Sequence, residues 1–400
     1  MLTELKITGL RSEDRLLFCC ARTTIEEESA GQIKDLLRHE IDWTYLIEST
    51  IHHRVVPLLY RSLRQISSNS IPAAVVNELQ DHYESIVTDN LFLTSRLLQL
   101  IKILETHHIS AIPFKGPALA FLAYGNICLR QFGDLDILVR PTDYPRTRKL
   151  LLVQGYQQVT DFDWECSLVD DTDGVSVDLH QGITREQFPI HLDFQSLQQD
   201  LAALPVAGAK IKTFCPEDML VILCIQLAKD GWSNFPLRLL KICDIAELLR
   251  MHTGMDWDRI LQEVRRLGCQ RILLVSLSVA RELLGAPVPE LPEISFARSR
   301  LDILTHHIYN KLIHQTKPDY VRRLTMRSFH FRIRERWRDK LDYEYQNLKL
   351  KLIPNERDYL ILKLPASLSI IYYFLRPLRL LRKYSPLAWN AFKVKYLTWR

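Results

Sequence analysis

Two aspartates separated by one residue are the first candidates for chemistry in this 400-residue chain. Asp134 and Asp136 lie in an otherwise apolar run that ends at Val139, a pattern typical of a β-strand. Because side chains alternate along a strand, both carboxylates point to the same face. Two carboxylates held about 4 Å apart repel each other by roughly 4 kcal/mol at an effective dielectric constant of about 20. A divalent cation between them would offset this repulsion, and hard oxygen ligands favour Mg²⁺ or Mn²⁺.

A third carboxylate lies on another predicted strand. The segment 175–180 alternates apolar and polar residues, so that Asp178 and His180 share one face. Three carboxylates on adjacent strands can hold two metal ions, align a triphosphate and deprotonate an acceptor hydroxyl group. Asp193 lies in a similar alternating run and is the rival third acid, but the stronger β-branched character of 175–180 favours Asp178. His180 either supports the acids, binds an acceptor, or is simply a buried histidine.

The acids lie in a block whose pattern differs from that of its flanks. Residues 1–107 have apolar residues at helical spacing, which predicts an N-terminal helical region. Residues 108–213 alternate short strand and helix patterns and predict a small α/β core, and helical spacing returns over 214–290. The remaining segment, 291–400, is a basic, proline-interrupted helical tail. The expected fold class is therefore α+β, mostly helical, with a small mixed β-sheet core flanked by helical regions.

The motifs of the core resemble those of a known family. They are Phe114-Lys115-Gly116, the run from Arg130 to Val139, Gly155-Tyr156 and Val177-Asp178-Leu179-His180. In combination they resemble the bacterial uncharacterised nucleotidyltransferase family, which belongs to the DNA polymerase β-like nucleotidyltransferase superfamily. The resemblance covers about residues 15–285, and it includes flanking motifs such as Asp42-Trp43, His53-Arg54-Val55 and Asp244-Ile245-Ala246.

The resemblance implies metal-dependent transfer of a nucleoside monophosphate from a nucleoside triphosphate (NTP) to a hydroxyl acceptor, with release of pyrophosphate. It implies that Asp134 and Asp136 bind Mg²⁺ or Mn²⁺ shared with the NTP. Asp178 would be the third acid, which shares in metal binding and activates the acceptor. The sequence does not select among a sugar, a small metabolite, an RNA or a protein side chain as the acceptor.

The phosphate-binding loop differs from the superfamily pattern. Members of the superfamily use a Gly-Ser at the start of a helix, which binds the β- and γ-phosphates through backbone N–H and hydroxyl groups. Here Gly116 is followed by Pro117, which has neither group. Lys115 and Arg130 could supply positive charge instead, and Gly133 directly precedes the acid pair. These two cations and two glycines are the predicted nucleotide-binding residues, although Lys115 also fits a solvated cap of a strand.

Charge is distributed unevenly along the chain. Residues 317–400 carry 20 basic and 7 acidic residues, whereas the rest of the chain carries 32 and 40. Basic residues interleaved with Phe329, Phe331 and Trp337 are a composition suited to RNA. The apolar run 370–375 and the basic residues after it suit an anionic membrane surface instead. A third interpretation is that basic helices pack on the acidic body of the protein.

The sequence predicts a cytoplasmic protein that is at most peripheral to a membrane. Residues 1–15 carry several charges and lack a long apolar core, which argues against a secretory signal. The eight cysteines form no CxxC pair and are interpreted as reduced, buried small residues. Two other functions remain open: a non-catalytic nucleotide-sensing or scaffold protein that keeps the acids, and an RNA-binding module that uses the basic tail.

Overall fold

Most of the described chain is helical, and a small mixed sheet lies between residues 111 and 180. The computed structural model describes residues 10–66, 71–184, 190, 192, 194–231, 237–291, 304–305, 308–309, 311–312, 331–353, 371–373 and 376. The chain divides into two compact units, Met1–Glu186 with Ile190–Thr316, and Gln187–Pro189 with Lys317–Arg400. The predicted fold class, α+β and mostly helical with a small mixed sheet, is confirmed.

Helices form the first part of the chain, as the apolar spacing predicts. They are α1 (Ser12–Cys20), α2 (Glu27–Leu36), α3 (Trp43–His53), α4 (Val56–Ile66) and α5 (Ala73–Thr106). The side chain of Asp42 caps α3 by accepting a hydrogen bond from the Tyr45 N–H at 3.0 Å. At the other end of α3, Arg54 has a left-handed backbone conformation with φ of 58°. This conformation turns the chain sharply into α4.

The sheet has five strands in the order β1-β2-β5-β4-β3. The strands are β1 (Ala111–Pro113), β2 (Leu135–Val139), β3 (Tyr156–Gln158), β4 (Glu165–Asp170) and β5 (Ser176–His180). Helix α6 (Gly116–Tyr124) follows β1, and α7 (Tyr144–Val153) follows β2. Strand β2 pairs with β5 in parallel, and the other neighbours pair antiparallel. The central parallel pair is therefore the one that carries the predicted acids.

One face of the sheet is apolar and packs against helices. Leu135, Ile137 and Val139 of β2 join Val177 and Leu179 of β5 in one buried cluster. The long helix α5 and helix α7 contribute to the same cluster through Leu93, Leu97, Leu100, Leu104, Tyr144 and Leu151. Because residues alternate along a strand, this packing directs the side chains of Asp136, Asp178 and His180 to the opposite face.

A short helix and a hairpin follow the sheet, and neither was predicted from the sequence. Helix α8 spans Phe194–Gln199, and strands β6 (Leu201–Val206) and β7 (Ala209–Phe214) form an antiparallel hairpin. The two residues at its turn, Ala207 and Gly208, have φ of 48° and 82°. Positive φ at both central positions is the type I′ geometry, which Asn-Gly signals more strongly than Ala-Gly does. The turn signal was therefore weak in the sequence.

Four helices complete the described part of the first unit up to residue 291. They are α9 (Pro216–Gly231), α10 (Leu240–Met251), α11 (Trp257–Leu267) and α12 (Gln270–Leu284). Helix α10 is buried along most of its length and contains the buried acids Asp244 and Glu247. Buried charges of this kind require partners: Asp244 pairs with the distant Arg130, whereas Glu247 pairs with Arg250 of the same helix.

His53 connects the end of α3 to the start of α10. Its Nδ1 accepts a hydrogen bond from the Leu239 N–H at 3.3 Å, so the buried ring is bound as the neutral imidazole. Burial, followed by the charges of His52 and Arg238, lowers the pKa of His53 to about 4. Because the folded pKa lies below the unfolded value of 6.5, protonation favours the unfolded chain as the pH falls from 6.5 towards 4.

We expect His53→Asn to remove part of the acid sensitivity of the fold. The Asn amide oxygen can still accept the Leu239 N–H but does not titrate. Between about pH 7 and pH 5, the free energy of unfolding of wild type should fall by about 2 kcal/mol more than that of the variant. Urea unfolding at each pH measures this difference. The exposed His39→Asn is the control and should follow wild type. Parallel stability profiles of wild type and His53→Asn would contradict this account.

The second unit is described over residues 331–353, 371–373 and 376. Helix α13 spans Trp337–Leu352, and the Lys340 ammonium lies 4.9 Å from the Trp337 ring centroid and 5.2 Å from that of Phe331. Two of the predicted aromatic RNA contacts thus have a cation–π partner within their own unit. Phe329 and the run 370–375, apart from 371–373, lie outside the described residues, so the RNA and membrane interpretations remain predictions.

Two further observations bear on the sequence predictions. Within the described residues, no helix combines the length and the apolar character needed to cross a membrane. All eight cysteines are free thiols, of which Cys128 and Cys215 are partly exposed and the others buried.

Candidate active site

Asp136 and Asp178 face each other across the parallel pair of strands. In the register of β2 and β5, Asp136 lies opposite Asp178, and Leu138 lies opposite His180. Strand β4 continues the same face, because Ser167 lies opposite Asp178 and Glu165 opposite His180. The two predicted acids and the histidine are therefore brought together on one face of the sheet.

Asp136 is the central residue of this group. Its carboxylate is buried, and Oδ1 lies 2.5 Å from the Lys115 ammonium and 3.1 Å from His180 Nε2. The other oxygen, Oδ2, is buried and has no hydrogen-bond partner among the described residues. Leaving a buried carboxylate oxygen unpaired costs about 1–3 kcal/mol or more. A ligand that coordinates Oδ2 would remove this cost.

His180 is enclosed between two carboxylates and an aromatic ring. Its Nδ1 lies 3.3 Å from Glu165 Oε2, and its ring contacts that of Phe114 edge to face with centroids 5.1 Å apart. Glu165 was not predicted to belong to the site; it begins β4 and lies opposite His180. The register of β4 with β5 brings it there, and the sequence alone does not give that register.

Electrostatic interactions within the group shift the pKa values of all three acids. Burial alone would raise the pKa of Asp136, but the Lys115 ammonium and the His180 hydrogen bond outweigh it and hold that pKa well below its usual range. The charge of Asp136, and then burial, raise the pKa of Asp134. Burial, and then the charge of Asp136, raise the pKa of Asp178. The group thus holds more negative charge than Lys115 compensates, which favours a further cation.

Asp134 lies just before β2, where the chain passes close to the start of α6. Gly116, the first residue of α6, has φ of 53°, and a Cβ added to it would lie 3.2 Å from the Asp134 carbonyl oxygen. Both the positive φ and this close approach require glycine. Gly116 therefore sets the spacing between the Lys115 side of the site and the acid pair.

We expect Gly116→Ala to destabilise the protein by about 1–2 kcal/mol, because an alanine in the left-handed region is strained. The added methyl group would also displace the backbone at Asp134 and weaken ligand binding to the acids. Urea unfolding measures the first effect. Gly31→Ala is the matched control: Gly31 is inside α2 and its added Cβ meets nothing within 4 Å, so this change should stabilise by up to about 1 kcal/mol. Equal effects of the two changes would contradict the argument.

Arg130 is engaged in a buried ion pair. Its Nε and Nη2 donate to Asp244 Oδ1 and Oδ2 at 2.7 and 2.9 Å, and the Tyr124 hydroxyl donates to the same Oδ1 at 2.8 Å. Asn90 Nδ2 donates to the Arg130 carbonyl oxygen at 2.9 Å. The guanidinium thus joins the segment before β2 to helix α10, and its predicted contact with nucleotide stays a prediction.

The remaining predicted residues occupy different positions. Gly133 is exposed, and a Cβ added to it meets no atom within 4 Å. Asp193, the rival third acid, lies outside the described residues. The structure therefore brings together Lys115, Asp136, Asp178 and His180 by direct contact or register, places Asp134 beside them, and directs Arg130 to α10.

The acidic group suits a divalent metal ion. One ligand atom each from Asp136, Asp178 and His180 lies within 4.8 Å of the other two. The Oδ2 of Asp136 has no hydrogen-bond partner among the described residues, and the charge of Asp136 contributes to raising the pKa of Asp134 and Asp178, so a cation beside these acids would be stabilised. Two carboxylates and an imidazole are donors that Mn²⁺ accepts, and the carboxylates alone suit Mg²⁺. The residues present thus fit a divalent metal.

The small mixed sheet carries an acid pair at the start of one strand and a third acid on its parallel neighbour. The sequence profile of the family described as "Uncharacterised nucleotidyltransferase" matches residues 39–285, more than half of the chain. The protein belongs to this family, as the sequence motifs predicted. It is therefore an enzyme of the nucleotidyltransferase class.

Comparison with solved structures gives distant similarities. The lincosamide antibiotic adenylyltransferase LnuA with bound lincomycin is 15% identical, and the match covers 38% of this chain and 94% of that one, with a TM-score of 0.29. An antigenic nucleotidyltransferase-like protein from Paracoccidioides brasiliensis is 17% identical over 56% and 94%, with a TM-score of 0.30. A tRNA-processing enzyme in an apo form is 13% identical over 72% and 88%, with a TM-score of 0.22. A search of curated proteins gave no match.

Proposed function

We propose that the protein catalyses metal-dependent transfer of a nucleoside monophosphate from an NTP to a hydroxyl acceptor, with release of pyrophosphate. The observation that carries the proposal is the environment of Asp136. This buried carboxylate lies opposite Asp178, next to Asp134, and keeps one oxygen without a partner among the described residues. A purely structural carboxylate at such a depth would have both oxygens satisfied.

Each residue of the group has a role in the proposed reaction. Asp134, Asp136 and Asp178 would hold Mg²⁺ or Mn²⁺, with His180 beside them. When bound, the metal would neutralise charge on the NTP and on the leaving pyrophosphate. The Lys115 ammonium would attract the phosphates and hold Asp136 ionised. His180 would fix the orientation of the Asp136 carboxylate through its hydrogen bond.

Asp178 is the proposed general base. Burial raises its pKa, which makes the carboxylate a stronger base than an exposed aspartate. It would take the proton from the acceptor hydroxyl as that oxygen forms a bond to the α-phosphorus. The bond from the α-phosphorus to the bridging oxygen of the β-phosphate breaks, and the electron pair leaves with pyrophosphate. Atoms and charge balance without any further reactant.

The proposal is tested by thermal unfolding and pyrophosphate release with each of the four common NTPs. We expect at least one NTP to stabilise the protein in the presence of Mg²⁺ or Mn²⁺ and not with a chelator. At 100 times the dissociation constant the gain is about 2.7 kcal/mol. Pyrophosphate should be released when a cell extract supplies the acceptor, above the release by extract alone.

Two results would contradict the proposal in different ways. No stabilisation by any NTP at millimolar concentration would contradict nucleotide binding at this site. Metal-dependent stabilisation without pyrophosphate release would favour the alternative of a nucleotide-sensing or scaffold protein. The replacement of the Gly-Ser pair by Gly116-Pro117 is the observation that keeps this alternative in view.

A further inference from the structure

Two arginines have no role in the site described above, and one of them, Arg54, lies close enough to Asp134 for their charges to interact. Arg54 ends α3, and Arg238 lies two residues before the first residue of α10. The hydrogen bond from the Leu239 N–H to His53 Nδ1 at 3.3 Å joins these two chain segments directly. Arg54 and Arg238 are the next residues along the chain from this bond. They are therefore neighbours although 184 positions separate them.

Helix α10 connects the segment of Arg238 to the strand that carries the acids. Asp244 of α10 holds Arg130 through two hydrogen bonds, and Arg130 lies only four residues before Asp134. Helix α10 thus begins two residues after Arg238 and is bound to the segment that leads into β2. In agreement, the charge of Arg54 acts on the carboxylate of Asp134 and opposes the rise in its pKa.

Neither arginine has a direct ionic partner within the described residues, although the charge of Asp134 acts on Arg54 from beyond contact distance. Both side chains are partly buried, and neither guanidinium has a hydrogen bond or an ion pair to a described residue. Burial, followed by the charge of Arg238, lowers the pKa of Arg54. Arg130, by contrast, is neutralised by Asp244. Two partly buried like charges that repel each other are destabilising, and an anionic ligand would offset this cost.

The shape and the charge of the two guanidinium groups indicate the chemistry of the ligand. A guanidinium presents a planar fork of donors that matches phosphate oxygens. The start of α6 lacks two of the donors that a Gly-Ser pair would supply, because Pro117 has neither a backbone N–H nor a hydroxyl group. An anion with several phosphates could therefore bind the arginines while its α-phosphate lies at the acids.

We propose that Arg54 and Arg238 form the binding site for the β- and γ-phosphates of the NTP, in place of donors at the start of α6. The proposal rests on the proposed function, since it assigns two residues to the same nucleotide site. It assigns the phosphate end of the nucleotide to the side of the site where α3 and α10 meet. The ligand class is a nucleoside triphosphate or a free polyphosphate of similar charge.

The test is titration calorimetry with inorganic tripolyphosphate in a chelator and with Mg²⁺-NTP. The variants are Arg54→Asn, whose asparagine tolerates the left-handed conformation, Arg238→Gln and the double variant. We expect each single substitution to lower the affinity for both ligands about tenfold, and the double substitution to lower it about a hundredfold. Affinity for the corresponding nucleoside monophosphate should change less than about threefold, because it lacks the β- and γ-phosphates.

Arg140→Gln is the matched control. Arg140 is exposed, directly follows β2 at the end far from Asp134, and donates to Gln198 Oε1 at 2.9 Å. The substitution Arg140→Gln removes the same charge and should leave the affinities for tripolyphosphate and for Mg²⁺-NTP within about twofold of wild type. Circular dichroism and the Tm of each variant check the fold, and Arg54→Lys, which keeps the charge, should retain part of the affinity.

The outcomes separate this inference from the proposed function. If wild type binds Mg²⁺-NTP and the arginine variants bind it equally well, the inference is overturned and the proposed function stands. If wild type binds tripolyphosphate through the arginines but binds no NTP, the anion site is supported and the proposed function is overturned. Binding of neither ligand by wild type overturns both. An equal loss in Arg140→Gln overturns the inference, because the effect would then be one of net charge.

Discussion

Asp136→Asn is expected to reduce nucleotidyl transfer at least about a thousandfold. The carboxylate is the proposed shared ligand of the metal, and metal coordination supplies several kcal/mol of transition-state stabilisation, each 1.36 kcal/mol being worth tenfold in rate. Asparagine has nearly the same shape but one fewer anionic oxygen. It also removes the negative charge that pairs with the Lys115 ammonium, which lies 2.5 Å from Asp136 Oδ1. Pyrophosphate release with Mg²⁺-NTP and the metal-dependent Tm shift measure the two effects.

Asp171→Asn is the control for this experiment. Asp171 is an exposed aspartate in the turn between β4 and β5, where it accepts a hydrogen bond from Gln157 at 2.9 Å. The substitution is the same replacement of aspartate by asparagine, and Asp171 lies on the hairpin that carries Asp178. It should leave activity within about twofold of wild type. Asp136→Asn should keep the circular dichroism spectrum of wild type. Activity of Asp136→Asn within about tenfold of wild type would remove Asp136 from the proposed mechanism.

Asp244→Ala is expected to cost about 3–5 kcal/mol of folding free energy. The substitution leaves the buried guanidinium of Arg130 without its carboxylate, and removing one partner of a buried ion pair has an effect of this size. It also removes the acceptor of the buried Tyr124 hydroxyl. Urea unfolding followed by circular dichroism measures the loss. Replacing the whole group with Arg130→Met, Tyr124→Phe and Asp244→Leu should recover most of it, because no buried charge or hydroxyl is then left unpaired.

The exposed pair of Arg266 and Glu263 provides the comparison. It has similar hydrogen bonds, at 2.6 and 2.7 Å, but lies in solvent on α11, so Glu263→Gln should cost no more than about 1 kcal/mol. Equal costs for Asp244→Ala and Glu263→Gln would contradict the role of burial. The triple variant also tests whether Arg130 binds nucleotide: an unchanged affinity for Mg²⁺-NTP would restrict Arg130 to its ion pair with Asp244.

The part of the site that depends on strand alternation could be predicted from the sequence. Because side chains alternate along a strand, the sequence predicts Asp178 and His180 on one face of their strand. In the structure both lie on the face of Asp136. The apolar residues between them, such as Leu179, belong to the core as alternation requires. Such patterns are local, so a single sequence carries them.

Features that depend on distant contacts could not be predicted in the same way. Asp244 looks like an ordinary polar residue of an amphipathic helix, and only its partner Arg130, 114 positions away, explains its burial. Arg54 belongs to a motif that the sequence marked only as flanking. Its relation to Asp134 depends on how α3 and α10 meet, and no local pattern encodes that arrangement.

The ion pair of Arg130 and Asp244 also has a consequence for the order of events during protein synthesis. The two residues are 114 positions apart, so at about 5–20 residues per second the ribosome adds Asp244 about 6–23 s after Arg130. Once His180 has been added, the five strands of the sheet are complete, but the carboxylate that neutralises the buried guanidinium is still 64 positions away. A nascent chain stalled before α10 is therefore expected to stay open and sensitive to proteases, and release of an intact core awaits translation of that helix.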